Sequence, residues 1–246
     1  QLYKNKIWII MAFSRGPKIV TDGLVLALDA GNIKSYPGSG NSWFDLSSSK
    51  FDAELINSPI FENEAIVFSG TNEYAIVTNS TPDSLKGNPT FTVEGWFKRS
   101  GSWSGGATWG IGGDSTLRGI NSYNMVANRV SIDLWGNTTI SAPEEYSLDE
   151  WKHCVWVYNG TTFTTENITI YVNSISYTGN QLIVHRGNSG ATPNINSNGI
   201  VLSRAGSLTN NYYGKPIISN FRIYNRVLTQ DEILSNFNSQ KSRFGL

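Results

Sequence analysis

The sequence predicts an all-β fold, a β-sandwich or jelly roll of two antiparallel sheets, closed by one short C-terminal helix. Three observations carry this. Short apolar runs alternate with period two. Turn-rich stretches separate them: "GNIKSYPGSGNS", "RSGSWSGGATWGIGGDS" and "HRGNSGATPNINSNG". Charged residues make up only 15% of the 246 positions while aromatics reach 12%, a mix that suits strands and turns and suits long helices poorly.

Each element follows from its own pattern. "LVLALDA" (24–30) places Leu24, Leu26 and Leu28 on one face. "AIVFSG" and "YAIVT" (65–70 and 74–78) predict a hairpin across "SGTNE". "FTVEGWFK" (91–98) sets Phe91, Val93 and Phe97 against Thr92, Glu94 and Lys98. "VSIDLWG" (130–136) aligns Val130, Ile132 and Leu134, and "ITIYVN" (168–173) aligns Ile168, Ile170 and Val172. "HCVWVYNG" (153–160) is apolar on both faces, which predicts a central strand covered on both sides. Trp43, Trp96, Trp151 and Trp156 fall in strand-like runs and are assigned to packing. In "ISNFRIYNRVLTQDEI" (218–233), Phe221 and Ile223 share one strand face while Arg222, Tyr224 and Arg226 share the other. Thr229 then stands three residues before Glu232, the capping-box spacing, and Ile233, Leu234 and Phe237 follow at near-helical intervals. The expected end is a short amphipathic helix lidding an edge or end of the sandwich.

Composition bounds the function. Lys+Arg and Asp+Glu both number 19, and no basic stripe is visible, which argues against nucleic acid and against docking on anionic membranes. No apolar run approaches the roughly 20 residues of a membrane span. The single cysteine, Cys154, excludes an intrachain disulfide and reads as a buried inert thiol. Residues 1–20 are expected to be an N-terminal leader or extension: "KNKIWIIMAF" imitates a signal peptide but is short and lacks a cleavage motif, and Met11 reads as the natural start. Residues 21–246 are expected to form a single domain.

Five stretches, in order, resemble the landmarks of the concanavalin A-like, laminin-G-like (LamG) jelly-roll family. They are "FSGTNEYAIV" (68–77), "FTVEGWFK", "DEWKHCVWVYNG" (149–160), "ITIYVNS" (168–174) and "NFRIYNRVLTQDEI" (220–233). The resemblance runs from Gly23 to Leu246. "IVTDGLVLALDAGNIKSYPGSGNSWFDLS" (19–47) and "EILSNFNSQKSRFGL" (232–246) resemble the version found in structural proteins of tailed bacteriophages. That implies a place on the virion surface, in a fibre, appendage or head decoration, or otherwise outside a bacterium or on its surface. Glycans or neighbouring virion proteins would be the partners, with no nucleic acid and no membrane insertion, and the domain would be open to oligomerisation. Many members carry an acidic residue in the strand matching "PIISNFRIY", tied to a structural calcium; here Ser219 and Asn220 stand at those positions. Asp29, Asn41 and Asp45 offer oxygens to such an ion from the N-terminal loop, and they also read as ordinary turn and cap residues.

The family includes glucanases, so hydrolysis needs testing against the residues. Retaining glycosidases hold two carboxyl groups about 5 Å apart, and an E-x-D-x-E strand would do so; none is present. Glu144–Glu145 and Asp149–Glu150 read as turn residues, and Asp114 stands alone in a glycine-rich loop. His153 and His185 are isolated in sequence, and "GIGGDSTLRG" lacks the G-K-[ST] of a phosphate loop. The expectation is a non-enzymatic lectin-like module, with Trp103, Trp109, Tyr123 and Trp135 as loop aromatics for stacking on sugar rings. Tyr212 and Tyr213 share that character. The alternatives are a purely structural decoration protein without a pocket and an extracellular bacterial adhesion module.

Overall fold

A computed structural model describes residues 16–77, 80–101, 106–113, 115–123, 128–187, 190–206 and 212–246, apart from the side chain of Tyr123. Alternating runs become strands throughout. In chain order they are β1 (Leu24–Asp29), β2 (Ser42–Trp43), β3 (Ala53–Ile56), β4 (Ile60–Glu62), β5 (Ala65–Val67) and β6 (Tyr74–Val77). The middle of the chain gives β7 (Phe91–Arg99), β8 (Ala107–Gly112), β9 (Gly119–Tyr123), β10 (Arg129–Leu134), β11 (Thr138–Glu145) and β12 (Trp151–Tyr158). The last third gives β13 (Ile168–Val172), β14 (Ile175–Thr178), β15 (Ile183–Arg186), β16 (Ile200–Leu202) and β17 (Pro216–Tyr224), then the helix α1 (Gln230–Gln240) and a 3₁₀ turn, Lys241–Phe244. No helix among the described residues is long and apolar enough to cross a membrane.

Two antiparallel sheets result. One runs β14-β13-β12-β7-β17-β5-β4, with β1 also pairing β17. The other runs β15-β11-β10-β9-β8-β16-β6-β3-β2. Their inner faces supply the core. Trp109 of one sheet meets Trp156 of the other edge-on at 5.2 Å, and Trp156 meets Phe97 at 5.8 Å. Each large side chain removed from water here contributes about 1.5–3 kcal/mol. The expected alternations hold at Leu26 and Leu28, Phe91, Val93 and Phe97, Ile132 and Leu134, and Ile168 and Ile170, all buried. Leu24 is the exception, because a bulge between Leu24 and Leu26 turns it to the outer cluster of Val155, Val157 and Tyr224. β12 is covered on both faces, Cys154, Trp156 and Tyr158 toward the main core and Val155 and Val157 toward a second cluster.

Two expectations are corrected. β5 and β6 are not a hairpin. β5 pairs β4 and β17 in one sheet, while β6 pairs β3 and β16 in the other. "SGTNE" therefore crosses between layers. The hairpin is β4–β5, turned by Asn63 and Glu64, both in the left-handed region that a two-residue primed turn demands. The helix does not lid an edge or end. It lies on the outer face of the eight-stranded sheet, where Phe237 stacks on Trp96 at 5.6 Å and Ile233 joins Val155, Val157 and Tyr224. Its start is as the spacing predicts: the Thr229 hydroxyl accepts from the Glu232 N–H, and the Glu232 carboxylate accepts from the Thr229 N–H. Residues before 21 contribute to the same layer, because the Val20 N–H donates to the Asn236 side chain and the Ser235 hydroxyl donates to the Lys18 carbonyl.

Candidate functional site

The sequence-predicted aromatics part company in three dimensions. Trp109 is fully buried between the sheets, so its indole has no face to offer a sugar. Its alternation with Ile111 around Gly110 marks the inner face of a strand, and packing wins over loop display there. Trp103 lies outside the described residues, as does the side chain of Tyr123, whose backbone pairs with Ala107. Trp135 is half-buried on the outer face of the nine-stranded sheet, against Ala107 and Ala205, and its ring meets that of exposed Tyr212 edge-on at 6.0 Å.

A polar row crosses the same face. Asn121 on β9 is opposite Gly110 on β8 and Asp133 on β10, and Asp133 is in turn opposite Thr139 on β11. The Thr139 hydroxyl donates to Asp133 at 2.6 Å, and Asn121 accepts from the Gly206 N–H at 2.7 Å. Burial pushes the Asp133 carboxyl above the usual range, against the opposing Thr139 hydrogen bond and the Arg186 charge. The row holds one carboxylate, half of what a glycosidase uses. Ser141 Oγ lies 2.8 Å from His185 Nε2, but Ser141 is fully buried and out of reach of a substrate.

A cleft of about 570 Å³ opens elsewhere, between the loop after β1 and the β3–β4 turn. Its apolar wall is Tyr36, Leu55, Pro59 and Phe61, with the Tyr36 and Phe61 rings 5.0 Å apart and tilted by 55°. Its rim is Ser39, Asn41, Ser58 and the backbone of Gly38 and Gly40. No charged side chain lines it. The walls are fixed locally. The Tyr36 hydroxyl donates to the Gly40 carbonyl at 2.9 Å, Leu55 N–H donates to the Asn41 carbonyl at 2.7 Å, and the Asn41 amide reaches Glu54 at 3.4 Å. Gly38 and Gly40 both carry positive φ, so the loop's path depends on residues without a Cβ. In the sequence this cleft has one local signal, an aromatic at the head of a Gly/Ser/Asn turn, "SYPGSGNS", and neither Tyr36 nor Phe61 stands out as a site residue.

The calcium ligands do not assemble. Asp45 is buried and its two oxygens accept the N–H groups of Ala27, Ser47 and Phe51 and the Ser47 hydroxyl. It is a turn brace. Asn41 belongs to the cleft. Asp29 accepts from Arg243 at 2.7 Å and from the Gly31 N–H at 3.0 Å. Among the described residues no three His, Cys, Asp or Glu side chains gather as a metal site. The residues present do not fit a resident calcium.

Two sheets, a polar outer face, an uncharged cleft and a C-terminal helix over the other sheet are now in place, and comparison places them. A model of the concanavalin A-like lectin/glucanases superfamily matches residues 69–234, about two thirds of the chain. The chain belongs to this superfamily. Among solved structures, it is similar to a Trypanosoma rangeli sialidase in complex with 2,3-difluorosialic acid, with TM-score 0.65 and 19% identity over 94% of this chain and 36% of that one. It is also similar to domain 4 of an extracellular GH43 arabinanase from Geobacillus stearothermophilus, in complex with arabinotriose, with TM-score 0.55 and 13% identity over 89% of this chain and all of that one. The chain thus spans about a third of the sialidase, and at these identities the likeness is one of fold. No curated protein matches at the sequence level. The superfamily domain is lectin-like in architecture, with carbohydrate-binding or glycan-acting neighbours.

Proposed function

We propose that the chain is a non-enzymatic, lectin-like module that binds a neutral glycan in the cleft over the half-buried Phe61 ring, which buried Tyr36 backs. The observation that carries this is the cleft's chemistry: the half-buried Phe61 ring for the C–H face of a sugar, a rim of hydroxyls, amide and backbone for its edges, and no charge. Its volume suits a mono- or disaccharide rather than a chain threaded through a tunnel. Trp135 and Tyr212 on the outer face of the nine-stranded sheet offer a second stacking surface for a longer glycan. The lone Asp133 in its row and the buried Ser141 favour binding over hydrolysis. The finer reading is a module on the surface of a tailed-phage virion, contacting host glycans or neighbouring virion proteins. It rests on the resemblance of residues 19–47 and 232–246 to such proteins, and the near-zero net charge agrees with it.

A glycan array on the purified chain tests the proposal, with Phe61→Leu as the variant because it keeps an apolar side chain but removes the ring face. Loss of one stacking contact should lower affinity about tenfold, or about 1.4 kcal/mol, without release of reducing sugar by either protein. An array silent across plant, bacterial and host polysaccharides, or a Phe61→Leu variant that binds undiminished, turns the reading toward a structural decoration.

A further inference from the structure

We infer that the Arg243 guanidinium is the resident cation of an oxygen cage that would otherwise suit calcium, so that this domain is locked shut without metal. The cage is built by three distant pieces of chain. Asp29 ends β1, Glu64 sits in the β4–β5 turn, and Ser219 lies on β17. Arg243, from the closing 3₁₀ turn, reaches all three. Its Nη1 donates to Asp29 Oδ1 at 2.7 Å, and its Nη2 donates to Ser219 Oγ at 2.7 Å and to the Glu64 carbonyl at 2.9 Å. Its Nε lies 2.8 Å from Glu64 Oε2. Two carboxylates, a carbonyl and a hydroxyl therefore converge on one positive group.

That is the ligand chemistry of a hard divalent cation, and here the chain fills it itself. Gly31 gives the guanidinium its room, since any Cβ there would overlap Nη2. Ser219 donates to the Glu64 carbonyl at 3.0 Å, so the oxygens also hold one another in place. The next residue, Phe244, stacks on Trp96 at 4.0 Å, so the last residues act as a latch with a charged pin and an aromatic plate. Arg243 and Asp29 are only 22% and 16% exposed. Water therefore competes weakly at Asp29 and more strongly at the Glu64 carboxylate, which is 60% exposed, while the guanidinium occupies the space between the oxygens. The inference does not depend on the glycan reading.

Thermal unfolding and calcium titration calorimetry on the full chain decide it. The wild type should melt within about 1 °C of the same temperature in EDTA and in millimolar calcium, and show no calcium heat. Arg243→Ala should melt about 4–8 °C lower in EDTA. Saturating calcium should return at least about 3 °C of that, and adding Glu64→Gln should abolish the return. A wild type stabilised by calcium overturns the inference. So does an Arg243→Ala variant with unchanged melting, or one that melts lower but neither binds nor responds to calcium. Should Arg243→Ala fail to fold, Arg243→Lys retains the charge with fewer donors; it should melt lower than wild type and stay indifferent to calcium, and an unchanged melt refutes the latch.

Discussion

Loss of Glu94 should be strongly felt. It sits on the outer face of the eight-stranded sheet beneath α1 and is fully buried. Its Oε1 accepts from Arg222 at 3.1 Å and from Asn236 at 2.9 Å, and its Oε2 lies 3.5 Å from His153 Nε2. Burial alone would raise its pKa. His153, Arg222 and Asn236 outweigh burial and hold the carboxyl at about 2, against an ordinary 4.5. At about 1.4 kcal/mol per pH unit that fall amounts to about 3 kcal/mol of stability. The sign follows from the direction. A depressed carboxylate contributes fully above its unfolded value of 4.5 and loses its contribution as pH drops through 4.5 toward 2. Glu94→Gln should therefore cost about 3 kcal/mol at pH 7, near the low end for breaking a buried ion pair. It should lower the melting temperature by roughly 6–12 °C. Urea denaturation followed by tryptophan fluorescence, repeated from pH 7 to pH 2.5, reads both quantities. The gap between wild type and variant should narrow on the acid side, to about 1 kcal/mol by pH 2.5, because the unfolded carboxyl takes up its proton below 4.5 while the folded one stays ionised down to about 2. A loss below about 1 kcal/mol at pH 7 refutes the reasoning, as does a gap that stays constant with pH.

Three further outcomes follow from named contacts. Asp45→Ala leaves the N–H groups of Ala27, Ser47 and Phe51 without their acceptor; at about 1–3 kcal/mol per buried unpaired group the loss in urea should reach about 3 kcal/mol, and one under about 1 kcal/mol contradicts the bracing role. Thr229→Ala removes the acceptor of the Glu232 N–H and should cost about 0.5–2 kcal/mol, with hydrogen exchange quickening first in α1 and nowhere in β12. Burial pushes the Cys154 thiol well above its ordinary pKa, so a thiol reagent at pH 8 should label it only as fast as the protein unfolds; rapid labelling of native protein contradicts its place in the core.

The fold was legible where a pattern is local. β12 announced its central position because Val155 and Val157 are apolar on the face opposite Cys154 and Trp156, and no half-exposed strand tolerates that. The capping box at Thr229 was legible because its partners are three residues apart. The β5–β6 assignment failed for a physical reason. Alternation shows which side chains are buried, but the same alternation serves a strand that folds back on its neighbour and one that crosses to the opposite layer. A five-residue connection such as "SGTNE" fits both. The helix's position was illegible on the same ground: nothing in Phe237 itself says that Trp96, 141 positions away in sequence, will be its partner.

The candidate site shows the same division more sharply. A tryptophan in a glycine-rich stretch looks like a display residue, yet Trp109 alternates with Ile111 and belongs to the core, because burying an indole stabilises the sandwich more than any loop position would. The cleft was hidden because neither half is conspicuous. Tyr36 reads as a turn aromatic and Phe61 as a strand residue, and only the pairing of the loop after β1 with the β3–β4 turn sets their rings 5.0 Å apart. Asp29 carries the same lesson with charge. Its carboxylate marked it as a cation ligand, and a cation does occupy it, but the cation is Arg243, 214 positions away. Sequence alone ranks residues by what they offer; the long-range pairing of a jelly roll, whose first and last strands lie side by side as β1 and β17 do, settles what each offer meets. That adjacency is why the end of the chain can close over the beginning, and why the chemistry of this domain gathers where those distant segments touch.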